Sequence, residues 1–201
     1  MTTIARNKFT DWVFAGILII LAGVLLWFAP EEQTLGTGIR SVYVHVALTW
    51  TALLGLISAG LLGLVLAIFS KPSWLSTVST ITWVAITLFT AGLVMSFVAA
   101  GINWGGFFWE EPRTNSAIQI LVAALVVQGV NRFSISYRLK GILYFLLVIF
   151  MFWSILSIPD VLHPGDAART SPPAIRFTFF SLFALFSLAA GWLVWRLKSF
   201  N

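Results

Sequence analysis

The sequence predicts an all-α, polytopic membrane protein with six transmembrane helices and both termini cytoplasmic. Three observations carry that prediction. Of 201 residues, 59% are apolar and only 9% are charged, a balance typical of chains that live in lipid. Six windows run without Asp, Glu, Lys or Arg for at least about the 18 residues that a spanning helix needs: Trp12 to Ala29, Ser41 to Ser70, Pro72 to Gly101, Thr114 to Asn131, Gly141 to Pro159 and Phe177 to Trp195. With the N-terminus inside, the inner segments carry Arg6, Lys8, Lys71, Arg132, Arg138, Lys140, Arg196 and Lys198, against Arg40, Arg113, Arg169 and Arg176 outside. That asymmetry follows the positive-inside rule.

The helices are predicted over residues 12–29, 42–69, 73–101, 115–131, 141–158 and 177–195, one integral membrane domain covering 1–201. The first is longer than a signal-peptide core and has no clear small-x-small site before Pro30, so it is expected to stay in the mature chain. Helix one ends at Ala29-Pro30, and Gly36-Thr37-Gly38 makes a flexible approach to helix two. In helix two, Gly55, Ala59 and Gly63 recur every fourth position. Gly92, Ser96 and Ala100 repeat the device in helix three, so these two helices are expected to pack through their small residues. Lys71-Pro72-Ser73 gives a tight inner turn with Pro in the first helical turn. Gly101, Gly105 and Gly106 predict that helix three stops near Gly101. Helix five is expected to end at Pro159, before a Pro-rich outer loop over Asp160 to Ile175.

The net charge of +5 then belongs to cytoplasmic loops facing an anionic lipid bilayer, which leaves no role for nucleic acid. Cysteine is absent, which excludes disulfides and thiolate ligands. No P-loop, dinucleotide-binding turn, zinc-protease helix or Ser-His-Asp set can be assembled, so no enzymatic turnover is expected. Glu110 and Glu111 are adjacent, and neighbouring positions do not face each other on regular structure, which makes them a poor catalytic pair.

One stretch stands apart from the lipid-like remainder: Asn103-Trp104-Gly105-Gly106-Phe107-Phe108-Trp109-Glu110-Glu111-Pro112-Arg113. Its rings suit the headgroup layer and would give a flat apolar ligand a place to lie. Only two histidines occur, His45 and His163, both near outer helix ends on the same side as this loop. Neutral imidazole is a good axial ligand for haem iron. Arginine pairs with carboxylates such as haem propionates through two hydrogen bonds, which makes Arg40, Arg113, Arg169 and Arg176 candidates. Each of these features also has a plainer reading: interfacial histidines with a hydrogen bond, an aromatic belt in Trp104, Phe107, Phe108 and Trp109, arginines answering nearby acids, and Tyr43 and Trp50 as packing.

At these residues the sequence resembles the cytochrome c assembly proteins with a tryptophan-rich outer loop, most closely the six-helix haem-handling proteins of the CcmC type. The likeness extends over nearly the whole chain. It rests on Ala29-Pro30-Glu31-Glu32 through Gly36 to Arg40-Ser41-Val42-Tyr43-Val44-His45-Val46, on Leu162-His163, and on Trp104, Gly105 and Arg113. The resemblance implies that His45 and His163 hold a non-covalent b-type haem axially at the outer face of a bacterial inner membrane. It further implies that Trp104, Phe107, Phe108 and Trp109 support the haem and that Arg40 and Arg113 assist, with ABC-transporter subunits, a haem chaperone and small helper proteins as partners in cytochrome c maturation. The chain departs from the family loop where Glu110 stands at a tryptophan position, Glu111 replaces Asp, and Phe107 and Phe108 lack an indole N–H donor. A permanently fixed bis-histidine haem or other macrocycle in an electron-transfer subunit, or a diverged structural subunit of a larger membrane complex, are the alternatives.

Overall fold

The computed structural model describes residues 8–107, 109–158 and 171–198. Within them lie six helices: α1 (Lys8–Trp27), α2 (Ile39–Phe69), α3 (Pro72–Trp104), α4 (Pro112–Val130), α5 (Tyr137–Leu156) and α6 (Pro173–Lys198). All six contain stretches long and apolar enough to cross a membrane, and no strand occurs among the described residues. The chain is a multi-pass, all-α membrane protein.

Local chemistry sets the helix starts. Proline occupies the first turn of α3 (Pro72) and α4 (Pro112), where its missing N–H is not needed and its φ is already helical. Helix α5 opens on Ser136, whose side chain accepts a hydrogen bond from the Leu139 N–H, satisfying one of the first-turn donors that have no partner inside the helix.

The end of α3 differs from expectation in an instructive way. Helix α3 does not stop at Gly101 but runs on to Trp104, and Gly105 ends it in the left-handed region at φ 76°, its N–H on the Gly101 carbonyl. A glycine weakens a helix interior without terminating it. The terminator is the glycine whose backbone reverses. The loop is therefore shorter than the glycine spacing implied, and Asn103 and Trp104 belong to a helix. Elsewhere α1, α5 and α6 begin four residues before their expected starts, at Lys8, Tyr137 and Pro173, while α1 and α5 stop two residues short, at Trp27 and Leu156.

Helix α2 is the hub. It packs on α3, α5 and α6, while α4 fills the space beside α3 and α5, and α1 rests chiefly against α6. A core of Ala52 and Leu56 (α2), Ala85 and Phe89 (α3), Ile120 and Ala124 (α4), and Leu147 and Met151 (α5) lies in the middle. The small-residue stripe of α2 is split between two partners. A Cβ on Gly55 would press on Ala85 of α3, whereas one on Gly63 would meet Tyr144 and the Gly141 carbonyl of α5. The expected pairing of the two stripes holds for Gly55 and for Gly92, where a Cβ would meet Thr49 of α2. Gly63 serves α5 instead. A helix with neighbours on two sides needs small residues on both, and spacing along one helix cannot assign them.

Candidate functional site

The aromatic stretch and His45 lie toward one end of the bundle, formed by the α1–α2 connection, the α3–α4 connection and the start of α2. His45 is six positions into α2, which at about 1.5 Å per residue sets it roughly 9 Å below the helix start. It is half-buried, and its Nδ1 lies 2.9 Å from the Gly92 carbonyl of α3. A carbonyl can only accept, so Nδ1 is the donor. In the neutral ring that bond fixes the tautomer, with the lone pair on Nε2. Gly92 allows the two helices to meet here, since a Cβ would come within 2.7 Å of Thr49 Oγ1.

The α3–α4 loop folds its rings together instead of spreading them as a flat shelf. Phe107 packs on Phe97 with centroids 4.8 Å apart at 49°, and Trp109 lies 5.4 Å from Phe107 at 82° and 5.9 Å from Phe97. Tilted and edge-to-face contacts are the favoured arrangements for such rings. Phe97, one α3 turn before Gly101, is the anchor of the cluster. It sat unremarked in an apolar run, and only its spacing of seven from Trp104 would have hinted at it. The outer faces stay open: Trp104 is 47% exposed, Phe107 44% and Trp109 66%.

Arg40 lies at the junction of α1 and α2. Its Nη2 donates to the Trp27 carbonyl at 3.3 Å, so its guanidinium closes the C-terminal end of α1, where the carbonyls are unsatisfied and the dipole is negative. Arg113 is half-buried in the first turn of α4, and Arg176 is exposed near the start of α6. His163, Phe108 and Arg169 lie outside the described residues. Tyr43 is fully buried, donates to the Pro30 carbonyl at 3.0 Å and stacks edge-on against Phe179 at 4.7 Å. Trp50 packs on Phe180 and Phe183. Both fill packing roles.

Two further features frame the site. Glu32 accepts from the Leu35 and Thr34 N–H groups and the Thr34 hydroxyl at 2.8 to 3.0 Å. Those bonds, the Leu35 amide first among them, hold its carboxyl below the ordinary 4.5 and shape the α1–α2 loop. An apolar groove of about 630 Å³ runs along α3 from Trp83 to Met95 with Leu48 on its α2 side. His45 does not line it, so this groove is not the candidate site. Among the described residues no three of His, Cys, Asp and Glu gather as they would around a bare metal ion.

Fold and site together define the class: a six-helix membrane protein with one oriented imidazole and a half-open aromatic cluster toward one end of the bundle. No protein-family model and no curated protein matches the chain.

Proposed function

We propose that the protein binds haem at its aromatic end and handles it for cytochrome c maturation, without catalytic turnover of its own. The observation that carries this reading is the bond from His45 Nδ1 to the Gly92 carbonyl. Iron-ligating histidines characteristically spend one ring nitrogen on a backbone carbonyl, which orients the ring and raises the basicity of the other nitrogen. His45 Nε2 is the first axial ligand in this proposal and His163 the second. Trp104, Phe107 and Trp109 cover the macrocycle from the loop. Bound haem supplies a planar apolar body and an iron that takes two imidazoles. The chain supplies one ligand from packed α2 and a second from the sequence between α5 and α6. The aromatic end faces away from the bacterial cytoplasm in this reading, with ABC-transporter subunits, a haem chaperone and small helper proteins as partners.

The test is the visible absorption spectrum of the detergent-purified chain. Wild type should show a Soret band with six-coordinate, low-spin features, and His45→Asn should lose it. Asparagine keeps an N–H within reach of the Gly92 carbonyl, so the fold survives while the ligand does not. His163→Ala should weaken the band as well. Equal haem content in wild type and the double variant would end the proposal. A ligand anchored to a neighbouring helix also suits a permanently held haem. A reversible redox titration with reduction by quinol, and no transfer of haem to an acceptor, would favour that electron-transfer reading.

A further inference from the structure

We propose that Asn103 is a positioning residue that sets the register of the aromatic loop over His45, an inference that rests on the haem reading above. Asn103 is the penultimate residue of α3, immediately before Trp104. Its Nδ2 bonds to the Ala99 carbonyl in its own helix at 2.9 Å and reaches across to α2, to the Gly38 carbonyl at 3.3 Å and Ser41 Oγ at 3.2 Å. Ser41 is one turn before His45 on the same face of α2, and its own hydroxyl is held on the Gly38 carbonyl at 2.6 Å. The α2–α3 seam is thus pinned twice, by His45 on Gly92 and by Asn103 on the first turn of α2. Between those pins α3 has no freedom to slide or turn, and the loop leaves it at a fixed height.

Gly38 supports the same conclusion from the steric side. Its φ is −60°, an angle any residue adopts, so the backbone does not call for glycine. Space does: a Cβ on Gly38 would overlap Asn103 Oδ1. Donor and notch match in one register only, because moving α3 by a single residue would swing Asn103 about 100° off the seam. Asn103 Oδ1 is buried and accepts no hydrogen bond. An apolar side chain would avoid that cost, so the amide serves registration more than stability.

The chain has no cysteine, so spin labels on a Gln33→Cys, Glu110→Cys double variant report only the two loops. Their distance distribution, measured in detergent without haem, should broaden on adding Asn103→Ala and also on adding Gly38→Ala. Combining Gly38→Ala with Asn103→Ala should be no worse than Asn103→Ala alone, because the overlap is gone. Asn103→Ser, which retains a small donor, replaces Asn103→Ala if the latter does not fold. Haemin titrated into the unlabelled variant should then bind about 10-fold more weakly than to wild type, as expected for a group acting on a ligand from outside, with the six-coordinate spectrum retained. An unchanged distance distribution overturns the proposal whatever the haem result. A broadened distribution with unchanged haem affinity overturns the link to the ligand. A wild type that takes up no haem, with the distribution still broadened, overturns the haem reading and leaves Asn103 as a determinant of loop geometry only.

Discussion

The two ends of the bundle are built on opposite plans. At the end away from the aromatic loop, basic side chains tie one helix to the next. Arg138 Nε donates to the Ala67 carbonyl in the last turn of α2, Lys140 Nζ to the Asn131 carbonyl at the end of α4 at 2.7 Å, and Arg196 pairs with Asp11 of α1 at 2.9 Å. Beneath them Tyr144 donates to Gln128 Oε1 at 2.7 Å while Gln128 Nε2 donates to the Ser79 carbonyl at 2.9 Å, tying α3, α4 and α5. Gly141 rests so close to α2 that a Cβ would overlap the Gly63 carbonyl and the Ala67 amide. The aromatic end has large rings open to their surroundings and is held by a few long-reach bonds from Tyr43, Arg40 and Asn103, with Glu32 closing a local turn. Basic side chains help close helix ends at both, Arg138 and Lys140 at one and Arg40 at the other, whereas the half-open ring cluster of Phe97, Phe107 and Trp109 belongs to the aromatic end.

That contrast gives an ordered set of expectations for thermal unfolding in detergent. Gly141→Val should have the largest effect, because a side chain there meets backbone that cannot yield. A loss of about 3 kcal/mol or more, or no folded protein, is expected, and a stable Gly141→Val would mean the basic end is looser than its spacing implies. Gln128→Leu comes next, at about 1–3 kcal/mol, since it strands the buried Tyr144 hydroxyl. Trp109→Ala should cost about 1 kcal/mol or less, the value of its ring contacts, while removing much of any haem affinity. If it destabilises as much as Gln128→Leu, the distinction between a structural end and an open end collapses.

The smallest effect belongs to Glu32. Its carboxyl is held below 4.5 by backbone N–H groups, so its bonds contribute fully above pH 4.5 and are lost as pH falls through the lower folded value. Amide exchange at Thr34 and Leu35 should therefore be slow near neutral pH relative to its intrinsic rate and lose that protection in acid. Glu32→Gln should flatten the dependence without moving the unfolding midpoint. Protection that is indifferent to pH would show that the loop is held by something other than this carboxylate.

Much of the fold was legible in the chain. Six long uncharged windows became six helices because backbone groups in lipid have to be satisfied within a helix, which makes length and charge nearly sufficient. The start of α3 was readable from Pro72, and the α2–α3 contact from Gly55 and Gly92. Gly101 misled because glycine both ends helices and sits inside them, and only the backbone angle at Gly105 separates the cases. Of the candidate site, His45 was legible as a rare residue near a helix end. Its orientation was not, because the acceptor that orients it is a main-chain carbonyl on another helix. The bond that Arg40 makes to the Trp27 carbonyl was not legible for the same reason: that acceptor has no signature in side-chain identity.

The sequence alone determined that this protein has six helices long and apolar enough to span a membrane and that His45 lies near the start of one of them, because hydrophobic length and the placement of rare polar residues are properties of the chain itself. Tertiary structure decided which glycine meets which helix, which basic residue closes which helix end, and which nitrogen of His45 is committed. Those outcomes depend on backbone atoms brought together from distant positions, and every residue carries the same backbone atoms.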